Sequence, residues 1–300
     1  MALDNNTVTY TGKEAQEWYS SAIYNGGSIG KLTVMPNVKS KIQLPALSLN
    51  GLVSKESGCD FSDSGTVSIS DAELVVDTMK INKELCTSDF EGIYLSEQLR
   101  PGSNGAQVPE NFNGFLLEKL AEYAASEVES MAWSSTTTDL TNGGFVYQLE
   151  NGSPVGLTGS TLTSANIISE LKSIVSNIPS GLKFRKGNDT RYSVKLFMNA
   201  ASSDLYRMAD PNSQRVDFTS DVPLTFMGYE IVPAPVADGV IVAAEPLNLV
   251  VGCDLLEDIE DIKVIDMSET TGDDKTRFKA RMKVGAAIRG IGEVVYRKNA

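Results

Sequence analysis

One stretch constrains this chain more than any other. Residues 109–133, PENFNGFLLEKLAEYAASEVESMAW, make the longest run with helical periodicity, between a strand-rich first third and a mixed second half. Phe112, Leu116, Leu120, Tyr123, Ala124, Val128 and Met131 recur at steps of three and four, which on a 3.6-residue helix gathers them on one face. Glu118, Glu122 and Glu129 fall mostly elsewhere, so the spacing predicts one dry stripe and one acidic side. Pro109 suits a first turn, where its missing N–H has no partner to lose, and the Ser/Thr run after Trp133 ends the pattern. At about 1.5 Å per residue the rod is roughly 35 Å long, as long as a small domain is wide. Something must lie along its dry stripe.

Around that helix the period changes. Thr11 and Glu14 have capping-box spacing, and Ala15, Trp18, Tyr19, Ala22 and Ile23 follow as a short amphipathic helix that ends at Gly26-Gly27. Its aromatic face must be buried on the chain's own fold or on a neighbouring subunit. Between residues 31 and 77 the period is two. Val38, Ser40, Ile42 and Leu44 alternate with Lys39, Lys41 and Gln43, and after a turn-rich stretch at 54–65, Val67 and Ile69 alternate with Ser68 and Ser70. This pattern predicts a long hairpin with one polar face, marginal alone, which either packs on its own sheet or projects as an arm.

Past the helix, residues 145–149 give a weak strand signal. Thr163 or Ser164 caps a second helix with Ile167, Ile168, Leu171, Ile174, Val175 and Ile178 as its apolar positions. A buried strand at 193–199, a short helix from Ser202 and a strand-turn-strand at 223–235 come next. Short apolar strands follow Gly239 and begin at Leu247, and strands at 262–267 and 277–298 close the chain. Without regular βαβ alternation the fold class is α+β. A hydrophobic content of 41% over 300 residues supports a sizeable core, in one elaborate domain or two smaller ones.

Several chemistries are excluded. The chain has no histidine, which removes Ser-His-Asp and Cys-His nucleophiles and every His-ligated metal. The Gly-rich stretch at 152–159 has neither phosphate-loop nor dinucleotide spacing. Asp254, Glu257, Asp258, Glu260 and Asp261 form the densest carboxylate cluster, but without EF-hand spacing they read as a solvated acidic loop. Cys59, Cys86 and Cys253 lie far apart and read as reduced thiols in a cytoplasm. With 39 acidic and 26 basic residues the formal charge is −13, opposite to what a protein gripping phosphates presents, so nucleic acid is not expected as a ligand. No apolar run reaches 18 residues and the first 30 lack a secretory pattern, so neither membrane span nor signal peptide is expected. Nothing in the sequence demands an enzyme, a cofactor or a metal.

The order of parts resembles the tailed-bacteriophage major capsid proteins of the Hong Kong 97 fold, over essentially the full length. Glu127-Val-Glu129-Ser-Met-Ala-Trp133 matches their acidic helix ending near a Trp, and Phe197-Met-Asn199 with Leu205-Tyr206 their strand running into an Asn and a short helix. The segment at 224–233 matches their Leu…Gly-Tyr-Glu-Ile-Val-Pro run, Gly252-Cys-Asp254 their Gly-Asp-type step, and 277–296 their Arg-Phe-Lys…Gly…Val-Val-Tyr ending. The resemblance implies an N-terminal arm at 1–35 with its amphipathic helix and an E-loop hairpin at 36–75. It implies a peripheral domain at 76–159 with the spine helix 109–133, an axial domain at 160–250, and return strands at 251–300 completing the peripheral domain.

It further implies a structural protein that self-assembles through pentamers and hexamers into an icosahedral head around double-stranded DNA, without sequence-specific binding. Such a protein is a virion component assembled in the bacterial host cytoplasm. Its partners are itself and separate scaffolding, portal and decoration proteins, and no membrane is involved. Contacts between subunits would run through Trp18, Tyr19 and Ile23 in the arm, and through Lys39, Lys41, Ile42, Leu44, Val67 and Ile69 in the hairpin. There is no room for a cleavable scaffolding segment before the arm, and no motif singles out Lys39, Lys41 or Lys55 for a cross-link, so none is expected. The competing readings are an encapsulin-type nanocompartment shell, a tail-tube or decoration protein, and a hydrolase built on the 254–261 carboxylates.

Overall fold

In this computed structural model, residues 7–10, 27–50, 66–86, 110–184, 194–209, 223–254, 262–267, 271–273 and 275–300 are described. They build two six-stranded sheets, a two-stranded hairpin and the helices packed on them. The first sheet contains β1 (Thr7–Tyr10), β2 (Thr33–Met35), β5 (Asp77–Cys86), β11 (Leu249–Asp254), β12 (Ile262–Asp266) and β13 (Lys275–Ile288). Its order is β1-β12-β13-β11-β2, with β5 along the other edge of β13. The hairpin is β3 (Lys41–Asn50) and β4 (Thr66–Val75). The second sheet runs β6-β14-β10-β7-β9-β8, made of β6 (Val155–Gly159), β7 (Lys195–Met198), β8 (Thr225–Phe226), β9 (Tyr229–Pro233), β10 (Ile241–Ala244) and β14 (Val295–Asn299). The helices are α1 (Glu110–Ser134), α2 (Phe145–Asn151), α3 (Ile167–Asn177), α4 (Ser180–Phe184) and α5 (Ala200–Ala209).

Strand composition dictates how each sheet is covered. In β13, Thr276, Phe278, Ala280 and Met282 are buried while the Lys and Arg residues between them are not, the period of a strand with one dry face. In β7 and β10 every residue is buried. Leu196, Met198, Ile241 and Ala243 face the core under α3 and α5, whereas Phe197, Val242 and Ala244 face the core shared with α1 and the first sheet.

Helix α1 serves that shared core through Ala124, Val128, Ala132 and Trp133. Trp133 is fully buried, 5.2 Å from the Phe145 ring and 5.0 Å from the Phe197 ring, and so joins α1 to α2 and the second sheet. The dry stripe is narrower than its periodicity suggests, because Tyr123 is 71% exposed and the close contacts fall to the small side chains of Ala124 and Ala125. The acidic side also differs from expectation. Glu129 turns back to accept hydrogen bonds from the N–H groups of Ser28 (2.6 Å) and Gly27 (3.1 Å) and from Ser28 Oγ. Ser28 Oγ in turn accepts from Trp133 Nε1 at 2.8 Å, so the segment entering at residue 27 is tied to the last turns of α1.

Two further expectations are corrected. Residues 145–149 form α2 and not a strand: Phe145 and Leu149, one helical turn apart, both enter the core, and this tertiary contact overrides the β-branched and aromatic local signal. Helix α3 starts after Asn166 and not after Thr163 or Ser164, with the Thr163 N–H donating to Asn166 Oδ1 at 2.7 Å in the preceding turn. The C-terminal strand is locked by Arg297, fully buried, which donates to Glu170 Oε2 (3.3 Å), Asn299 Oδ1 (2.7 Å) and the carbonyls of Gly239 and Ser160.

Candidate assembly surface

The hairpin is mounted on the first sheet at a pair of glycines. Gly252 and Gly285 face each other across β11 and β13, and a Cβ on Gly285 would stand 2.0 Å from the Val75 carbonyl oxygen. A Cβ on Gly252 would meet the Leu74 side chain at 2.8 Å, so only bare backbone admits the hairpin root this closely. Leu44 and Leu74 then drop into a small core with Val38, Val76, Val250 and Ala287. Polar contacts clamp the same root. The Val38 N–H donates to the Cys253 carbonyl (3.1 Å), the Val76 N–H to that of Ser40 (2.9 Å), and Lys283 Nζ to that of Lys39 (3.0 Å). From the loop between α1 and α2, Asn142 Nδ2 donates to the Glu73 carbonyl (2.6 Å), and Thr141 donates to Asp77 through its N–H (2.6 Å) and hydroxyl (2.7 Å). None of Gly252, Gly285, Thr141 and Asn142 was singled out for this from sequence. The available signal was an isolated glycine inside the strand pattern of 277–296.

Beyond the root the hairpin changes character. β3 and β4 pair from Lys41↔Val75 to Asn50↔Thr66. Opposed residues share a face, so Ile42 and Leu44 stand with Leu74 and Ala72, while Ile69, opposite the Leu47 position, belongs to the other face. Read strand by strand, the alternation suggests one apolar and one polar face. The register instead moves the apolar positions from one face to the other midway along the hairpin. Ile69 is 68% exposed and Ile42 38%. Lys39 is exposed, and Lys41 reaches Glu73 at 3.0 Å. Leu44, expected at a contact between subunits, is only 2% exposed because its own chain encloses it, so it holds the root and has no surface to offer. Trp18, Tyr19 and Ile23 lie outside the described residues, as does the side chain of Val67.

A second surface feature lies where α1 crosses β5. There Met79, Ile81, Leu85, Leu120, Tyr123 and Val128 line an apolar groove of about 820 Å³. On the second sheet Glu230 lies between Lys195 (2.8 Å) and Lys31 (3.4 Å). Burial opposes the charge of Glu230, but the hydrogen bond and charge of Lys195, helped by Lys31, outweigh it and hold the carboxyl below its ordinary range. Cys253 is buried, and burial first, then the Asp254 charge, pushes its thiol up to about 12, which leaves it protonated and unreactive. Asp254 pairs with Lys283 at 2.7 Å, while Glu257, Asp258, Glu260 and Asp261 lie outside the described residues. Among the described residues no group of three or more Cys, Asp or Glu is placed to hold a metal, and no helix is long and apolar enough to cross a membrane.

Neither a family model nor a curated protein matches the chain. Solved structures do. A chain from the capsid of a native GTA particle superposes with a TM-score of 0.59 at 13% identity, covering 100% of this chain and 95% of that one. A chain from Mycobacterium phage Adephagia gives 0.57 at 8% identity, covering 92% and 90%, and one from the capsid of Myoviridae phage XM1 gives 0.55 at 14%, covering 90% of each. At such identities the likeness is one of fold: the chain has the α+β, Hong Kong 97-type fold of tailed-phage capsid proteins.

Proposed function

We propose that this chain is a major capsid protein that self-assembles through pentamers and hexamers into the icosahedral head around the double-stranded DNA of a tailed phage. The observation that carries the reading is a full-length likeness to capsid chains, combined with a hairpin clamped at its root and baring Ile69 beyond it. In this reading residues 1–35 are the arm, 36–75 the E-loop, 76–159 with 251–300 the peripheral domain around α1, and 160–250 the axial domain. A hairpin that cannot bury Ile69 and Ile42 on its own chain does so on a neighbour, and the same heterologous contact repeated around a ring closes it. Each such contact is modest, and the shell is held by their number. Scaffolding, portal and decoration would come from separate proteins, the finished protein resides in the virion after assembly in the host cytoplasm, and no catalytic role is assigned. Electron microscopy of the purified protein tests this: closed particles or five- and six-fold rings are expected. A monodisperse monomer at every concentration and salt would overturn the reading.

A further inference from the structure

We propose that residues 27–31 are a strap that opens and shuts as one unit and so couples the second sheet to the last turns of α1. The inference goes beyond the capsid reading and does not depend on it. One carboxylate from each layer holds the strap. Glu129, on α1, accepts from the Gly27 N–H at 3.1 Å through one oxygen and from the Ser28 N–H at 2.6 Å through the other, which also takes the Ser28 hydroxyl. Glu230, on β9, pairs with Lys31 at 3.4 Å through one oxygen and with Lys195 at 2.8 Å through the other. Between these two catches the chain is a single 3-10 turn, closed by the Lys31 N–H on the Ser28 carbonyl and the Leu32 N–H on that of Ile29, both at 2.9 Å.

Three observations make the strap an all-or-none element. Ile29, inside the turn, is fully buried in the core that α1 shares with the second sheet, so a strap that lifts at either end draws this side chain out. The hydrogen bonds of the turn join its ends, so displacing Lys31 pulls on Ser28. Ser28 Oγ in turn accepts from Trp133 Nε1 at 2.8 Å, which carries the same displacement into the end of α1. The body of the subunit tolerates the open state. Glu129 is half-buried and within reach of water, and Glu230 keeps Lys195, its partner across the β7–β9 register. Opening is therefore local, with both sheets intact. The catches differ in strength: Glu129 makes charge-assisted bonds to backbone N–H groups, whereas the Lys31 side chain is 50% exposed and its ion pair is long. A change at Glu230 or Lys31 thus shifts a two-state element that Trp133 and α1 also feel, which is a physical route for coupling between the layers.

The test is amide hydrogen exchange of the full-length subunit in dilute solution, read at single amides. Lys31→Met removes the weaker catch and leaves Glu230 with Lys195. It should quicken exchange at Gly27 and Ser28, whose own acceptor is untouched, by about two- to fivefold, and at Leu32 by the same factor. Glu129→Ala removes the stronger catch. It should quicken exchange at Lys31 and Leu32 by about tenfold or more, although their acceptors in the turn are unchanged. In both variants the amides of β9 and β13 exchange as in the parent. The inference is overturned if each variant moves only the amides at its own end, since the two catches would then act independently. It is also overturned if β9 and β13 quicken together with the strap, since the strap would then open only when the whole subunit unfolds. Should Glu129→Ala fail to fold, Lys31→Met decides alone, because its side chain is half in water and the pair beneath it stays closed.

Discussion

Strands β10 and β13 lie in sheets that share one core, yet their sequences are built on different rules. β10, Ile-Val-Ala-Ala, is buried at every position, because α3 and α5 cover one face and the first sheet with α1 covers the other. β13 alternates apolar and basic residues, because among the described residues its outer face is covered only where the hairpin root crosses Gly285 and Ala287. The difference separates two tasks. A strand buried on both faces holds the subunit together, whereas a strand with one open face can offer charge to a partner at little cost to folding.

That contrast is broken most directly by a charge in the second sheet. Val242→Asp places an unpaired carboxylate in a fully enclosed site, a cost of several kcal/mol that takes most of a typical domain's stability. The expected result is no soluble folded protein in expression and circular dichroism trials, and a soluble, folded variant would show that β10 is not covered on both faces. Next in size is Arg297→Met. It strands Glu170 and the carbonyls of Gly239 and Ser160, and should cost about 3 kcal/mol in urea unfolding. Gly285→Ala sharpens the comparison from the other side, since it tests the covered end of the open face. The added methyl meets the Val75 carbonyl, so about 2 kcal/mol or more is expected, whereas Gly292→Ala, with nothing within 4 Å of its Cβ, should fall within about 0.5 kcal/mol.

Periodicity made the frame legible. The helix expected over 109–133 spans Glu110–Ser134, and the alternation from Lys275 to Val284, set against Leu196-Phe197-Met198 in the next sheet, already distinguishes a strand with one dry face from a strand with two. What periodicity reports is which residues share a face, not how deep that face lies, and Tyr123 shows the difference. The clamp of Glu129 on Ser28 and the glycine pair under the hairpin join residues about a hundred or more positions apart, beyond any local window. Residues 145–149 give a strand signal yet form a helix, because so short an aromatic-rich run takes its structure from the Trp133 and core contacts around it. In the hairpin each strand's alternation was legible, but register joins the two, and that depends on the turn connecting them. The alternating cations of β13 stand in plain view in the sequence, although the chain as a whole is acidic.

The smallest expected effect is the most informative about the open face. Lys279→Gln removes one half of the Lys263↔Lys279 like-charge pair and takes away no apolar contact that the core requires. Subunit stability from urea unfolding of dissociated protein should therefore stay within about 0.5 kcal/mol of the parent or rise by a few tenths, because a repulsion has been relieved. A loss of about 1 kcal/mol or more would mean that Lys279 is held by a carboxylate of its own chain. Lys279 would then join Lys275, Arg277 and Lys283 among the cations of β13 that are paired within the subunit.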